Sequence, residues 1–215
     1  MEKGVRFDME EIALIPQIDI RLAEKKDAHN LLEIYSYYVK NTAISFEYEV
    51  PTEEEFGNRI VKISERYPFL VGELDTQIVG YAYANAFHER KAYDWAVESS
   101  IYVDKNYRGM GIGRQLYEEL EDCVRSQGIV NMNACIAVPE VPDEYLTNDS
   151  ELFHECLGFY KVGQLNNCGY KFHRWYHIIY MEKMIGAHLD RQPPMKKFCN
   201  TIKYIHYIDR TRKKI

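Results

Sequence analysis

Hydrophobic and polar positions alternate with two different periods along this chain, and the switches between them mark out its elements. Residues 18–22 predict a first strand. Leu31, Leu32, Ile34, Tyr35 and Tyr38 then recur at helical spacing, in a helix that Asp27 would cap and that would end near residue 40. Thr52 and Glu55 have the spacing of a capping box, and Phe56, Ile60 and Ile63 follow as the buried stripe of a second helix. Residues 69–74 and 78–87 flank the polar turn Asp75-Thr76-Gln77 and read as a hairpin. Over residues 95–103 the alternation is clean: Trp95, Val97, Ser99, Ile101 and Val103 face one way, and Ala96, Glu98, Ser100 and Tyr102 the other. Residues 112–127 form the most regular helical pattern, with Ile112, Leu116, Leu120, Cys123 and Val124 on one stripe and Gly128 as its stop. A strand over 132–138 follows, then a short helix opened by Asp149 or Ser150 and ended at Gly158. Two last strands are expected at about 160–165 and 172–181. Strands alternating with helices predict an α/β class, a sheet covered by helices. The pattern decays past residue 183, where Pro193-Pro194 precede aromatics mixed with Lys and Arg. The expected organisation is an extension over 1–17, one domain over 18–185, and a basic-aromatic tail over 186–215.

Composition narrows the function classes. A chain of 215 residues supports one good-sized core. Its net charge of −6 argues against a general nucleic-acid binder, which needs a basic surface to displace counterions. Five cysteines, an odd number without C-x-x-C spacing, suggest neither a disulfide framework nor a zinc site. The first residues mix acids with short apolar pieces, and no segment approaches the roughly 20 apolar residues of a membrane span. A cytoplasmic protein without a metal, a nucleic-acid partner or a membrane partner is expected.

The chemistry concentrates at Tyr107-Arg108-Gly109-Met110-Gly111-Ile112-Gly113-Arg114, between a strand and the strongest helix. Glycines there let backbone N–H groups converge, and the helix N-terminus adds partial positive charge, so a pyrophosphate is favoured. A tight turn alone would also use glycines, but Arg108 and the strand–turn–helix setting favour phosphate binding. No Gly-Lys-Ser/Thr closes the turn, so it is not a P-loop, and the G-x-G-x-G spacing is not the dinucleotide fingerprint.

Arg108 to Gly113, R-G-M-G-I-G, resembles the acetyl-CoA motif of the GNAT superfamily, R/Q-x-x-G-x-G/A. Four further segments are similar to the phosphinothricin N-acetyltransferase family: F-H-E-R-K-A-Y (87–93), V-E-S-S-I-Y-V (97–103), F-H-E-C-L-G-F (153–159) and G-Y-K-F-H-R-W (169–175). The likeness runs from about residue 18 to 183. It implies the GNAT fold, a twisted mixed sheet of about seven strands flanked by about four helices, with two central strands splayed around the pantetheine arm. It further implies acetyl-CoA as co-substrate, a homodimer, and acetylation of the amine of phosphinothricin, methionine sulfoximine, methionine sulfone or a related amino acid.

Transfer from a thioester to an amine needs a base, an oxyanion site and a proton for the leaving sulfur. Glu98 lies mid-strand just before the glycine turn, where a carboxylate is costly without a partner or a purpose. The resemblance makes it the general base, acting through water. His154 matches the family's histidine at the position where the superfamily often has the acid tyrosine. An N–H near Tyr102 or Val103 would meet the oxyanion. Main-chain groups of Ile101, Tyr102 and Val103 would hold the pantetheine. Arg108, Gly109, Met110, Gly111, Ile112, Gly113 and Arg114 would hold the pyrophosphate, with Phe153 near the thiol. Arg90 matches a family arginine suited to a carboxylate or phosphinate, and Tyr93, Lys171, Phe172 and Trp175 would wall the substrate pocket. The chain departs from the family at His88-Glu89-Arg90, where Arg-x-Arg is common, and in a long acidic loop over 138–148 that could cover the substrate and favour positive charge. A protein or peptide acetyltransferase, or an acetyl-CoA-binding module without catalysis, are the competing readings.

Overall fold

A computed structural model describes residues 15–198. Seven strands form one sheet: β1 (Asp19–Leu22), β2 (Phe69–Leu74), β3 (Gln77–Ala86), β4 (Ala96–Val103), β5 (Asn131–Val138), β6 (Tyr160–Lys171) and β7 (Arg174–Met184). Their order is β1-β2-β3-β4-β5-β7-β6, and every neighbouring pair is antiparallel except β4 with β5. One face carries α1 (Ala28–Asn41) and α2 (Glu53–Ser64), and the other carries α3 (Ile112–Ser126) and α4 (Asp149–Cys156). The expected mixed α/β fold is therefore the fold adopted.

Local chemistry sets most of the boundaries. Thr52 Oγ1 accepts from Glu55 N while the Glu55 carboxylate accepts from Thr52 N, so the capping box opens α2 as its spacing predicts. Asp75 and Thr76 take positive φ, 49° and 69°, and make a two-residue hairpin turn, so β3 starts one residue earlier than expected. Asp27 behaves differently from the expectation. Its carboxylate does not cap α1; it accepts from Glu24 N and binds the Arg21 guanidinium, which also reaches Glu73 and ties β1 to β2. The larger difference is at the final hairpin. β6 continues to Lys171, and Phe172 and His173 form its turn at φ 52° and 60°. Phe172, expected at the start of a strand, is thus a turn residue. The run Asn166-Asn167-Cys168-Gly169 looked like a loop because β6 is an edge strand exposed on both sides, which leaves no alternation to read.

Two cores sandwich the sheet. Leu116, Leu120 and Val124 of α3 pack on Leu70, Val79 and Met132, while Leu31, Tyr35, Phe56 and Ile60 pack on Phe69, Val71 and Tyr81 from the other side. The segment after β7 extends this packing. Phe198 is buried, Lys196 N donates to Gln127 O at 2.8 Å, and Trp95 Nε1 donates to Pro193 O at 2.7 Å. The tail expected from residue 186 therefore lies on the domain through residue 198, and its remainder, like most of the 1–17 extension, falls outside the described residues. Among the described residues no helix is long and apolar enough to cross a membrane.

Candidate active site

The parallel pair β4–β5 holds for only three registered positions, Ala96↔Asn131, Val97↔Met132 and Glu98↔Asn133. Beyond Glu98 the strands part. Side chains stitch the base of the parting: Asn133 Nδ2 donates to Val97 O at 3.1 Å, and Ser99 Oγ lies 3.0 Å from Asn133 O. Successive main-chain groups of a strand point to opposite edges. Val97 O faces β5, so the groups of Ile101 and Val103 do as well, and those of Tyr102 face β3. Tyr102, expected to offer its main chain to the cofactor, has that main chain in the β3–β4 ladder. Ile101 lies past the last β4–β5 pair, with its N–H and C=O toward the cleft. Val103 has both groups engaged by one hydroxyl: Tyr38 Oη donates to its O and accepts from its N.

The glycine turn follows β4 and opens α3, and its Gly113 lies beside Ile101 and Phe153. Gly109 and Gly111 take φ of 76° and 78°, which only glycine adopts at little cost, and a methyl at Gly109 would meet open space. The first turn of α3 carries no acidic residue, so nothing there opposes an anion at its N–H groups. Gly113 has a packing reason instead: a Cβ there would sit 3.2 Å from the Phe153 ring of α4. Arg108 lies over the rings of Tyr38 at 4.8 Å and Tyr37 at 5.5 Å, at the mouth of the cleft. Met110 and Arg114 are exposed beside it.

Glu98 projects from the opposite face to Ser99, half-buried, and burial raises its carboxyl above the usual range against the opposing pull of His88. On the α3 face a buried polar chain runs below the cleft. His154 Nδ1 meets Ser150 O at 2.7 Å, His154 Nε2 meets Tyr117 Oη at 2.8 Å, Tyr117 Oη meets Ser99 Oγ at 2.6 Å, and Ser99 Oγ meets Asn133 O at 3.0 Å. Both ring nitrogens of His154 are thus engaged by protein, and burial lowers its pKa. Tyr117 and Ser99 were not singled out by the sequence. Tyr117 reads there as core, whereas a serine among Val97, Ile101 and Val103 was a signal that could have been found.

Two clefts result. The smaller lies between the parted strands, lined by Ser99, Ile101, Cys135 and His154. The larger, ≈ 660 Å³, shares the Glu98 face of the sheet and is lined by Tyr93 among others. Glu98, Arg90, Lys171, Phe172 and Trp175 line neither. Lys171 is the clearest departure from expectation. Its ammonium is buried and donates to Val39 O, Thr42 O and Ser45 O at 2.8, 2.9 and 2.6 Å, so it holds the end of α1 rather than a substrate. Burial brings its pKa down to about 8. Phe172 stacks on Tyr145 at 4.1 Å, and Trp175 is exposed beside Tyr170. Two of the three acids of the long loop share one arginine: Arg174 binds Asp143 at 2.8 Å and Glu144 at 2.9 Å, so the loop remains acidic.

Parallel strands parted beside a glycine turn at a helix N-terminus, with a raised carboxyl on the adjoining face, suit a transferase that seats a long phosphate-bearing acyl donor. Comparison with known proteins gives the family. Residues 20–180 match the Acetyltransferase (GNAT) domain model. The chain is 31% identical over 166 residues to a phosphinothricin N-acetyltransferase of Streptomyces viridochromogenes, covering 77% of this chain and 87% of that one. It is 32% identical over 170 residues to the L-methionine sulfoximine/L-methionine sulfone acetyltransferase of Salmonella typhimurium, covering 79% and 95%. A phosphinothricin acetyltransferase from Sinorhizobium meliloti, solved in complex with AcCoA, superposes with a TM-score of 0.76 at 31% identity, over 86% of this chain and 97% of that one. The chain belongs to the GNAT acetyltransferase family, whose co-substrate is acetyl-CoA.

Proposed function

We propose that this enzyme acetylates the amine of a small, amino-acid-like substrate by direct attack, in the cytoplasm and as a homodimer. The observation that carries the mechanism is the raised Glu98 carboxyl at the last registered pair before the strands part. Acetyl-CoA, when bound, supplies the acetyl thioester; Ile101 toward the cleft, and the turn from Arg108 to Arg114, are the groups that fit it. Val103 becomes available only where Tyr38 releases it. Glu98 accepts the proton of the attacking amine, through water, and its raised pKa brings it closer to the working pH of a base. The N–H of Ile101 faces the developing oxyanion. Arg90, exposed on the loop beside Tyr93, holds the substrate carboxylate.

His154 acts through its neighbours. The chain from Ser150 O to Asn133 O contains four contacts, while a neutral imidazole, a phenol and a hydroxyl bring one proton each, three in all. The relay is therefore one proton short while the imidazole is neutral, the form that burial favours, and it takes up the missing proton only transiently, as imidazolium. Burial opposes that charge, so the extra proton is weakly held. It leaves through Tyr117 and Ser99, whose Oγ lines the parting where the sulfur departs.

The test is thiol release from acetyl-CoA with a panel of amines: methionine sulfone, methionine sulfoximine, phosphinothricin, common amino acids, polyamines and a peptide. Turnover is expected with amino acids and not with the peptide, and Glu98→Gln is expected to lower kcat by about 10²-fold or more. No release with any amine, while CoA still binds in a titration, would sink the reading.

A further inference from the structure

The larger cleft has a composition that neither the family motif nor the mechanism uses. Glu98 is not among its lining residues, but Asn133, in register with Glu98, lines it, as does Ala96 two residues before Glu98 on the same face. Phe87, Tyr93, Trp95 and Tyr180 supply aromatic wall, and the lining holds no Lys or Arg. Part of the wall comes from His188, Leu189 and Gln192, beyond the segment matched by the family model. That stretch is anchored by the Trp95–Pro193 and Lys196–Gln127 hydrogen bonds described above.

Glu182 is the one carboxylate among the side chains that line the cleft, and no Lys or Arg there balances it. Glu182 Oε1 takes the Tyr160 hydroxyl at 2.6 Å, and its other oxygen has no partner among the described residues. Asn133 gives one amide N–H to Val97 O, which leaves its Oδ1 and its second N–H. Asn131 Nδ2 donates one N–H to Met184 Sδ, and its Oδ1 accepts from His188 Nε2 at 2.8 Å. Gln192 adds further donors. Its Oε1 accepts from Leu189 N, and its amide N–H groups remain as donors. A carboxylate oxygen, the Asn133 Oδ1 and π faces without Lys or Arg form a surface complementary to a cationic donor and unfavourable to an anion.

We propose that this cleft seats the far end of the amine substrate, and that the end it takes is a cation with several N–H donors, a guanidinium or second ammonium group. The inference rests on the reading of the enzyme as a small-amine acetyltransferase, with Arg90 on the carboxylate and Glu98 at the reacting amine. It separates this chain from a substrate whose tail is a phosphinate.

Arginine and citrulline test it, because they differ in charge at almost constant shape. Thiol release is measured with arginine, citrulline and phosphinothricin, for the native chain and for Glu182→Gln. The expected result is kcat/KM about tenfold or more in favour of arginine over citrulline, a ratio that falls toward one in Glu182→Gln. In parallel, the CoA complex is titrated with Nα-acetylarginine and Nα-acetylcitrulline, which requires no turnover, and the same preference is expected in Kd. CoA binding by Glu182→Gln confirms that the variant is folded. Equal or better use of citrulline or phosphinothricin, or an arginine preference that survives Glu182→Gln, would overturn the assignment. Absence of turnover with every amine would count against the proposed function alone, since the titration still decides the cleft.

Discussion

Glu98 joins stability to activity at a single side chain. Burial raises its carboxyl pKa, with the charge of His88 only partly offsetting it. A carboxyl whose folded pKa exceeds its unfolded value holds its proton more tightly in the native state. Its favourable contribution is complete below the unfolded pKa of about 4.3 and is lost as pH rises through the folded value. At neutral pH the ionised carboxylate therefore costs stability, and the proposed role as base would give that cost a purpose. Glu98→Gln, which has the shape without the charge, is expected to unfold a few degrees higher than the native chain at pH 7. The two melting curves should converge near about pH 4, where the native carboxyl is protonated. A variant that melts at or below the native temperature at pH 7 would show that Glu98 has a stabilising partner, which would weaken its role as a base.

At the scale of elements, the connection after α1 depends on one lysine from the far end of the chain. Lys171 at the end of β6 donates to three carbonyls at and beyond the last turn of α1, where a helix lacks its own donors. Lys171→Met keeps the apolar stem and strands those carbonyls. The expected cost is about 3 kcal/mol, read as a urea midpoint lowered by roughly 1 M; an unchanged midpoint would mean that water replaces the ammonium without loss. The same residue shows what the sequence could and could not convey. Thr52 with Glu55, the hairpin about Asp75 and the stripe of α3 were legible because each is specified within a few residues. The glycine turn and Glu98 were legible because strand alternation and a motif fixed their places. Lys171 was not: a lysine is rarely buried, and its acceptors lie 126 to 132 positions away in the chain. The relay through Tyr117 and Ser99 was hidden for the same reason, since a tyrosine on the buried face of a helix reads as core until its hydroxyl finds His154 37 residues on. The length of β6 was illegible because an edge strand exposed on both sides has no apolar period.

That edge shapes the molecule as a whole. The sheet ends at β6, whose twelve residues are mostly exposed, with Val162 and Leu165 each 50% accessible and Trp175 of the neighbouring strand 59%. Long edges with apolar side chains are either protected or covered by a partner. Register shifts between Lys161 and Gly163 and between Leu165 and Gly169 break the ladder twice, which disfavours simple extension of the sheet by another strand. A second copy packing side chains against this hairpin fits both facts, and it would bring one subunit's Phe172 and Trp175, which line neither cleft of their own chain, beside its partner. The expectation is a dimer by sedimentation equilibrium at micromolar concentration. Introducing charge with Leu165→Lys and removing the ring with Trp175→Ser should together shift the mass toward the monomer. If kcat falls in step with the monomer fraction and recovers at high protein concentration, the hairpin completes its partner's substrate site. A native chain that sediments as a monomer would leave Phe172 and Trp175 without a role in the reaction.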